Sequence, residues 1–250
     1  MAKEKYNLQE IEAQLEKEPT NPDLWLKKGM ALADEKRYDE CIIAFSTGLI
    51  YDPFHKDLRL QRGRKYTTLD DYRTATAELT LATRLAPENW DTWYYQGVAL
   101  YLDGRYEQCI KAEKRAIQLT LEDGKGHLPS AVCWIWQANM KLGKPEEAAA
   151  ILELVDENTP YGNNIDYLER VLLHKGLRDP ETFLDLSRLG ELDRPELYYM
   201  TMCFGMYNYL YYRGEEDKAV AILKEIAAMD HHHETFVYKQ TRQELAARGL

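Results

Sequence analysis

Three glycines, Gly29, Gly63 and Gly97, stand 34 residues apart inside apolar runs that otherwise read as helices. A glycine in a helix interior costs about 1 kcal/mol relative to alanine, so a periodic placement needs a periodic reason. Other columns keep the same step: Tyr38, Tyr72 and Tyr106; Cys41, Ala75 and Cys109; Pro53 and Pro87; Asp23, Asp57 and Asp91. Only 14 of the 250 residues are glycine, so this many columns in register mark an internal repeat.

Each unit reads as two helices. In the first, Asn21 is a natural N-cap and Pro22 suits the opening helical position. Apolar residues then recur with a helical period through Leu32. The break at residues 34–37 (DEKR) precedes a second stripe of Tyr38, Ile42, Phe45 and Leu49, ended by Pro53. Two short antiparallel helices bury little alone, whereas stacked pairs share a continuous core. The glycines let one helix approach its partner where a Cβ would collide, and that packing offsets the propensity cost.

These columns resemble the tetratricopeptide repeat, a pattern of one large residue, three small ones, an aromatic and a proline. The first unit supplies Trp25, Gly29, Tyr38, Cys41, Gly48 and Pro53; the second, Arg59, Gly63, Tyr72, Ala75, Ala82 and Pro87. The third has Trp93, Gly97, Tyr106, Cys109 and Ala116, but Leu121 where proline is expected. The resemblance implies an all-α fold, a right-handed α-solenoid of antiparallel helix pairs with about six units, capping helices, about fourteen helices in all and no strand.

Residues 1–20 then form an N-terminal capping helix and 21–121 three regular units. The spacer EDGKGHL (122–128) breaks the period, and 122–160 hold a fourth unit, matched through Leu142, Gly143, Ala148, Leu152 and Pro160. Trp136 stands where a small residue is wanted, so this pair should be splayed or re-packed. NTPYGNN (158–164) is the strongest internal breaker and a candidate flexible joint. Residues 161–230 give two degenerate units. The fifth has IDYLERVLLHKG as one helix and PETFLDLSRLG as a shortened second. The sixth opens on the aromatic helix PELYYMTMCFGMYNYLYYRG, where Gly205 fits the small column only with a two-residue insertion. Residues 231–250 form a C-terminal cap with a polar outer face.

The resemblance further implies that the first helices of successive units line a concave groove for a peptide segment of a partner protein. Its lining would include Leu26 and Met30 from the first unit, Leu60 and Arg64 from the second, and Tyr94, Val98 and Tyr101 from the third. The fourth unit adds Gln137 and Met140, the sixth Asn208 and Tyr211. Such a lining is apolar and aromatic with a few polar handles, which suits an extended or helical peptide. The alternative is that the C-terminal helices fill the groove themselves. Leu26 and Met30 occupy the positions at which chaperone-tail clamps of this family carry Lys and Asn, so no such clamp is expected. The expected role is a non-enzymatic scaffold or adaptor in the cytoplasm. Competing readings are a homodimer pairing through the Met- and Tyr-dense stretch 198–212, itself expected to be mostly core, and an enzyme or small-molecule sensor with a site under Trp134 and Trp136.

Charge and motif content narrow the field. With 32 basic against 42 acidic residues the net charge is −10, which argues against a nucleic-acid partner; Arg59, Arg62, Arg64 and Lys65 gather on one helix only. No apolar run approaches the roughly 18 residues of a membrane span, and the start lacks the apolar core of a secretory signal. Cys41, Cys109, Cys133 and Cys203 lie singly, which suggests neither a disulfide framework nor a zinc site. There is no phosphate-cradling glycine loop, H-E-x-x-H or G-x-S-x-G, so neither catalytic residues nor a cofactor is expected. Asp23, Asp57 and Asp91 read as first-turn carboxylates favoured by the helix dipole. Consecutive side chains on a helix point about 100° apart, so His231, His232 and His233 cannot close on one ion unaided. They read as a solvated helix start, with no metal.

Overall fold

The computed structural model describes residues 6–124 and 127–250. Residues 1–5, and 125–126 of the spacer, carry part of the reading above and lie outside the described residues. The chain divides into two compact units, Met1–Gly104 and Arg105–Leu250, so the division falls within the third repeat. Among the described residues there are thirteen α-helices, two short 3-10 segments and no strand.

The first unit holds α1 (Leu8–Lys17), α2 (Pro22–Asp34), α3 (Tyr38–Tyr51), α4 (Lys56–Thr68), α5 (Tyr72–Leu85) and α6 (Trp90–Leu102), each packed on the next. Asn21 accepts hydrogen bonds from the N–H groups of Asp23 and Leu24, and Asn89 from that of Asp91. Asp23, Asp57 and Asp91 all fall in first turns. The recurring glycines are buried, and Gly29 and Gly63 lie at helix crossings. A Cβ on Gly29 would stand 2.2 Å from Cε1 of Phe45, and one on Gly63 would stand 2.7 Å from Cγ of Leu79. Phe45 and Leu79 are both fully buried.

The pairs share a second device. After α2, the Arg37 N–H reaches back to the Leu32 carbonyl and the Lys36 N–H to Ala33, with Lys36 left-handed at φ 59°. Asp71 and Asp70 repeat this on Tyr66 and Thr67 after α4. The 6→1 and 5→2 bonds satisfy carbonyls that a helix end leaves open.

A third device joins the loop before each first helix to its opening turn. The indole N–H of Trp25 donates to the Pro19 carbonyl at 2.8 Å, and that of Trp93 to Pro87 at 2.9 Å. Arg59, in the same column, does this with its guanidinium, 3.0 and 3.3 Å from the Pro53 carbonyl oxygen. Arg59 and Arg62 also pair with Glu78 of α5, so half of the basic cluster on α4 serves internal packing.

The second unit contains α7 (Tyr106–Asp123), α8 (Leu128–Lys141), α9 (Pro145–Leu152), α10 (Ile165–His174), α11 (Pro195–Tyr211), α12 (Glu216–Ala227) and α13 (Phe236–Ala246). The helix-end device recurs after α8, α10 and α11, where Lys144, Leu177 and Glu215 donate to Asn139, Leu172 and Leu210. Trp136 is re-packed onto neighbouring helices: its ring stacks on His174 of α10 at 3.7 Å and meets Tyr212 edge-on at 5.7 Å. The expected second helix of the fifth unit is a correction. Residues 180–184 form turns, and only Leu186–Leu189 winds, as a 3-10 segment capped by Asp185 and closed by Gly190 at φ 76°. Asp179 and Asp185 accept from the backbone N–H groups of Glu181 and Ser187, local turns that compete with a continuous helix. Phe183 supplies the packing instead, buried with Leu173, Met202 and Met206. Residues 200–208 of α11 are all buried, so most of its methionines and tyrosines serve the core. No described helix is long and apolar enough to cross a membrane.

Candidate interaction surface

In the first unit the expected lining splits into two classes. Leu26 and Met30 on α2 are half-buried beside the cluster around Phe45 and Leu58. Arg64 on α4 is half-buried too, its guanidinium 4.0 Å over the Tyr95 ring and bonded to Gln61 at 3.0 Å. Leu60, Tyr94, Val98 and Tyr101 are buried. Tyr94 stacks on Trp90 at 4.5 Å and meets Tyr95 edge-on at 5.2 Å. The wall thus has an apolar and aromatic floor, with α2 and α4 offering the accessible aliphatic, thioether and guanidinium groups.

In the second unit the corresponding face is covered by the chain itself. α13 packs on α11 and α12 and reaches across to α8. Phe236 meets Trp134 edge-on at 6.4 Å. The Gln240 amide N–H donates to the Gln137 side-chain oxygen at 2.9 Å, both groups buried. Glu244 accepts from Lys141, from the Tyr207 hydroxyl at 2.8 Å and from Arg248 at 3.0 Å. The Arg248 guanidinium lies 4.7 Å from the centre of the Tyr211 ring. Gln137 and Asn208 are therefore buried, while Met140 and Tyr211 are half-buried. Burial alone would raise the Glu244 pKa, but the Lys141 charge and these hydrogen bonds outweigh it and hold the carboxylate below its usual range.

α10, which packs on α8 and α11, carries a largely buried polar row. Asp166, Arg170 and His174 repeat every four residues on α10 and so share one side of it. The Arg170 stem fills the space at Gly205, where a Cβ would come within 2.6 Å of its Cγ. That glycine thus serves the contact with α10 of the preceding repeat, unlike Gly29 and Gly63, which face the second helix of their own repeat. Burial, aided by the Arg170 charge, pushes the His174 pKa down to about 3, and burial pushes Asp166 up to about 6 against the pull of Arg170. His174 keeps some surface in solvent, but its Nε2 is sealed and has no hydrogen-bond partner among the described residues. Below pH 6.5 the unfolded chain protonates this histidine and the folded chain does not, so its contribution to stability is lost as pH falls from 6.5 toward 3. Asp166 acts oppositely, its folded state holding the extra proton between about pH 4 and 6. The comparison of wild type with His174→Phe cancels Asp166. Between pH 7 and pH 5 the wild type should lose about 1–2 kcal/mol relative to the variant in urea unfolding. A gap that stays constant over that range would mean that water reaches Nε2 of His174.

Helix pairs at a fixed step, glycine at the crossings and a repeated helix-end turn meet an independent observation: the sequence profile of the tetratricopeptide repeat family matches residues 60–120. That stretch is tetratricopeptide repeat sequence. Solved structures extend the likeness in fold. MamA from Desulfovibrio magneticus RS-1 (residues 41 to the end) shares 21% identity, with a TM-score of 0.53 over 59% of this chain and 80% of that one. Two further MamA crystal structures share 18% identity: one has a TM-score of 0.53 over 68% of this chain and 86% of its own, the other 0.52 over 74% and 85%. No curated protein sequence matches. The tetratricopeptide columns are legible in the sequence; the polar underside of α13 is not.

Proposed function

We propose that the chain is a non-catalytic interaction scaffold of the cytoplasm whose tetratricopeptide repeats hold a peptide segment of a partner protein against α2 and α4. The observation that carries this reading is α13. A helix of 11 residues lies against the first helices α8 and α11, gripped by a ring contact, an amide pair and a carboxylate hub. A first-helix face of this chemistry therefore accommodates a helical segment. On α2 and α4 the equivalent positions Leu26, Met30 and Arg64 are the accessible ones, and helix-in-groove docking reads such aliphatic and cationic groups. Leu60, Tyr94, Val98 and Tyr101 then act as the floor that fixes their positions.

Selection of peptides from a random displayed library against the full chain tests this. Selected peptides should bind wild type and lose about tenfold or more in affinity, roughly 1.4 kcal/mol, on Leu26→Arg/Met30→Arg. These two positions are half-buried at the surface, so the fold should survive, as far-UV circular dichroism will report. Peptides that bind the double variant as well as wild type, or a selection that yields none, would sink the reading.

A further inference from the structure

Away from this face, three side chains of the second unit converge on one point. Glu196 is the second residue of α11, following Pro195, where the first-turn N–H groups favour a carboxylate. His231 and His232 lie in the 3-10 segment Asp230–His232 that links α12 to α13. Their Nε2 atoms are each 3.0 Å from the same oxygen, Oε2 of Glu196. All three donor atoms fall within 4.8 Å of one another. Successive side chains on a 3-10 turn diverge even more than on an α-helix, yet here the two rings lean together, their centroids 4.2 Å apart. The carboxylate that gathers them sits 35 residues earlier in the chain.

We propose that Glu196, His231 and His232 form a binding site for a divalent transition-metal ion of the zinc type. Two imidazoles and one carboxylate are a donor set of such ions, which prefer nitrogen-containing sites over the all-oxygen sites of calcium and magnesium. Ligands at about 2.0–2.1 Å from one ion stand roughly 3.0 to 3.4 Å apart, for right-angled and tetrahedral arrangements respectively. The present 3.0 Å separations already fall at that spacing. Binding moves each ring proton to Nδ1 and leaves Nε2 to coordinate. The side chains of Glu196 and His231 are 69% and 60% exposed, so water completes the coordination and little desolvation opposes it. His233 takes no part, since its Nδ1 faces the Asp230 carbonyl oxygen at 3.2 Å. The ion would clasp the start of α11 to the turn that launches α13, holding that helix in place.

Titration of the full chain with Zn2+ alone, by calorimetry in a non-chelating buffer, tests the site. One ion per chain should bind with a roughly micromolar Kd, weaker than closed structural zinc sites because only three protein ligands contribute. Co2+ should bind at the same place and give a visible d–d absorption band. His231→Gln/His232→Gln, and separately Glu196→Gln, should weaken Zn2+ binding at least tenfold, while His233→Gln and added Mg2+ should leave it unchanged. Glu196 and His231 face solvent while His232 is half-buried, and melting curves in the presence of a chelator will check that each variant folds like wild type. Equal Zn2+ affinity in the double variant would overturn the proposal. So would a His233→Gln loss as large as that of the double variant, which would mark loose capture by a histidine run, or no binding at roughly 100-fold the expected Kd.

Discussion

Gly29→Val should destabilise the first unit by about 3 kcal/mol, the upper end of overpacking costs, although valine recovers a few tenths of a kcal/mol of glycine's helix penalty. The clash decides the sign. A Cβ at position 29 would lie 2.2, 2.4 and 2.8 Å from three atoms of the Phe45 ring. That ring cannot swing aside, because Phe45 has no exposed surface and is enclosed with Leu32, Cys41, Ala44, Leu49 and Leu58. In a chain of 250 residues the loss should appear as a fall of roughly 6–12 °C in melting temperature. Gly29→Ala should show the same direction with a smaller size, which keeps the measurement available if the valine variant fails to fold. Phe45→Leu combined with Gly29→Val should recover at least about 1 kcal/mol relative to the sum of the single changes, as expected for two side chains competing for one space. Strict additivity would mean that the glycine is not there for close approach. The equivalent change at Gly63 should cost less, because the nearest atom there, Cγ of Leu79, would stand 2.7 Å from the new Cβ instead of 2.2 Å.

That contact was legible because it is periodic: a glycine at a fixed step, inside apolar runs, has few physical reasons to exist. The reading failed where chemistry rather than residue type carried the pattern. Arg59 differs in residue type from Trp25 and Trp93, yet all three offer a side-chain N–H that reaches a proline carbonyl six residues earlier. The left-handed turn after each first helix was similarly masked, since Lys36 and Asp70 occupy it without being glycine. In the C-terminal helix the signal ran opposite to expectation. α13 buries Lys239, Gln240, Thr241 and Glu244 along with Val237, so a hydrophobic-period reading assigns it a solvated face. Partners more than 100 residues away, Gln137 and Lys141, are what make those polar groups tolerable inside. Long-range pairing of this kind has no local signature, and the same holds for Glu196 meeting His231 and His232.

Glu244→Ala is the change that puts α13 to the test, with an expected loss of about 2–3 kcal/mol. Removing one member of a buried ionic cluster typically costs 3–5 kcal/mol because its partners stay desolvated, and the 26% exposure of the Lys141 side chain reduces that here. The alanine variant leaves Lys141, the Tyr207 hydroxyl and Arg248 without their shared acceptor. Glu244→Gln should cost less, since an amide oxygen still accepts one or two of these bonds. The carboxylate's pKa is depressed by folding, so its contribution is fully present above the ordinary glutamate value near 4.3 and is lost as pH falls through the lower folded value. The gap between wild type and Glu244→Ala should therefore be constant from pH 6 to 8 and close on acidification below about pH 4. Amide hydrogen exchange should locate the damage, with residues 236–246 losing protection first and α8 next, because Gln137 and Trp134 lose their cover. A variant whose α13 keeps wild-type protection, with under about 0.5 kcal/mol lost, would mean that the carboxylate hub does not hold the helix. The Phe236 and Gln240 contacts would then have to bear the whole grip on the first-helix face.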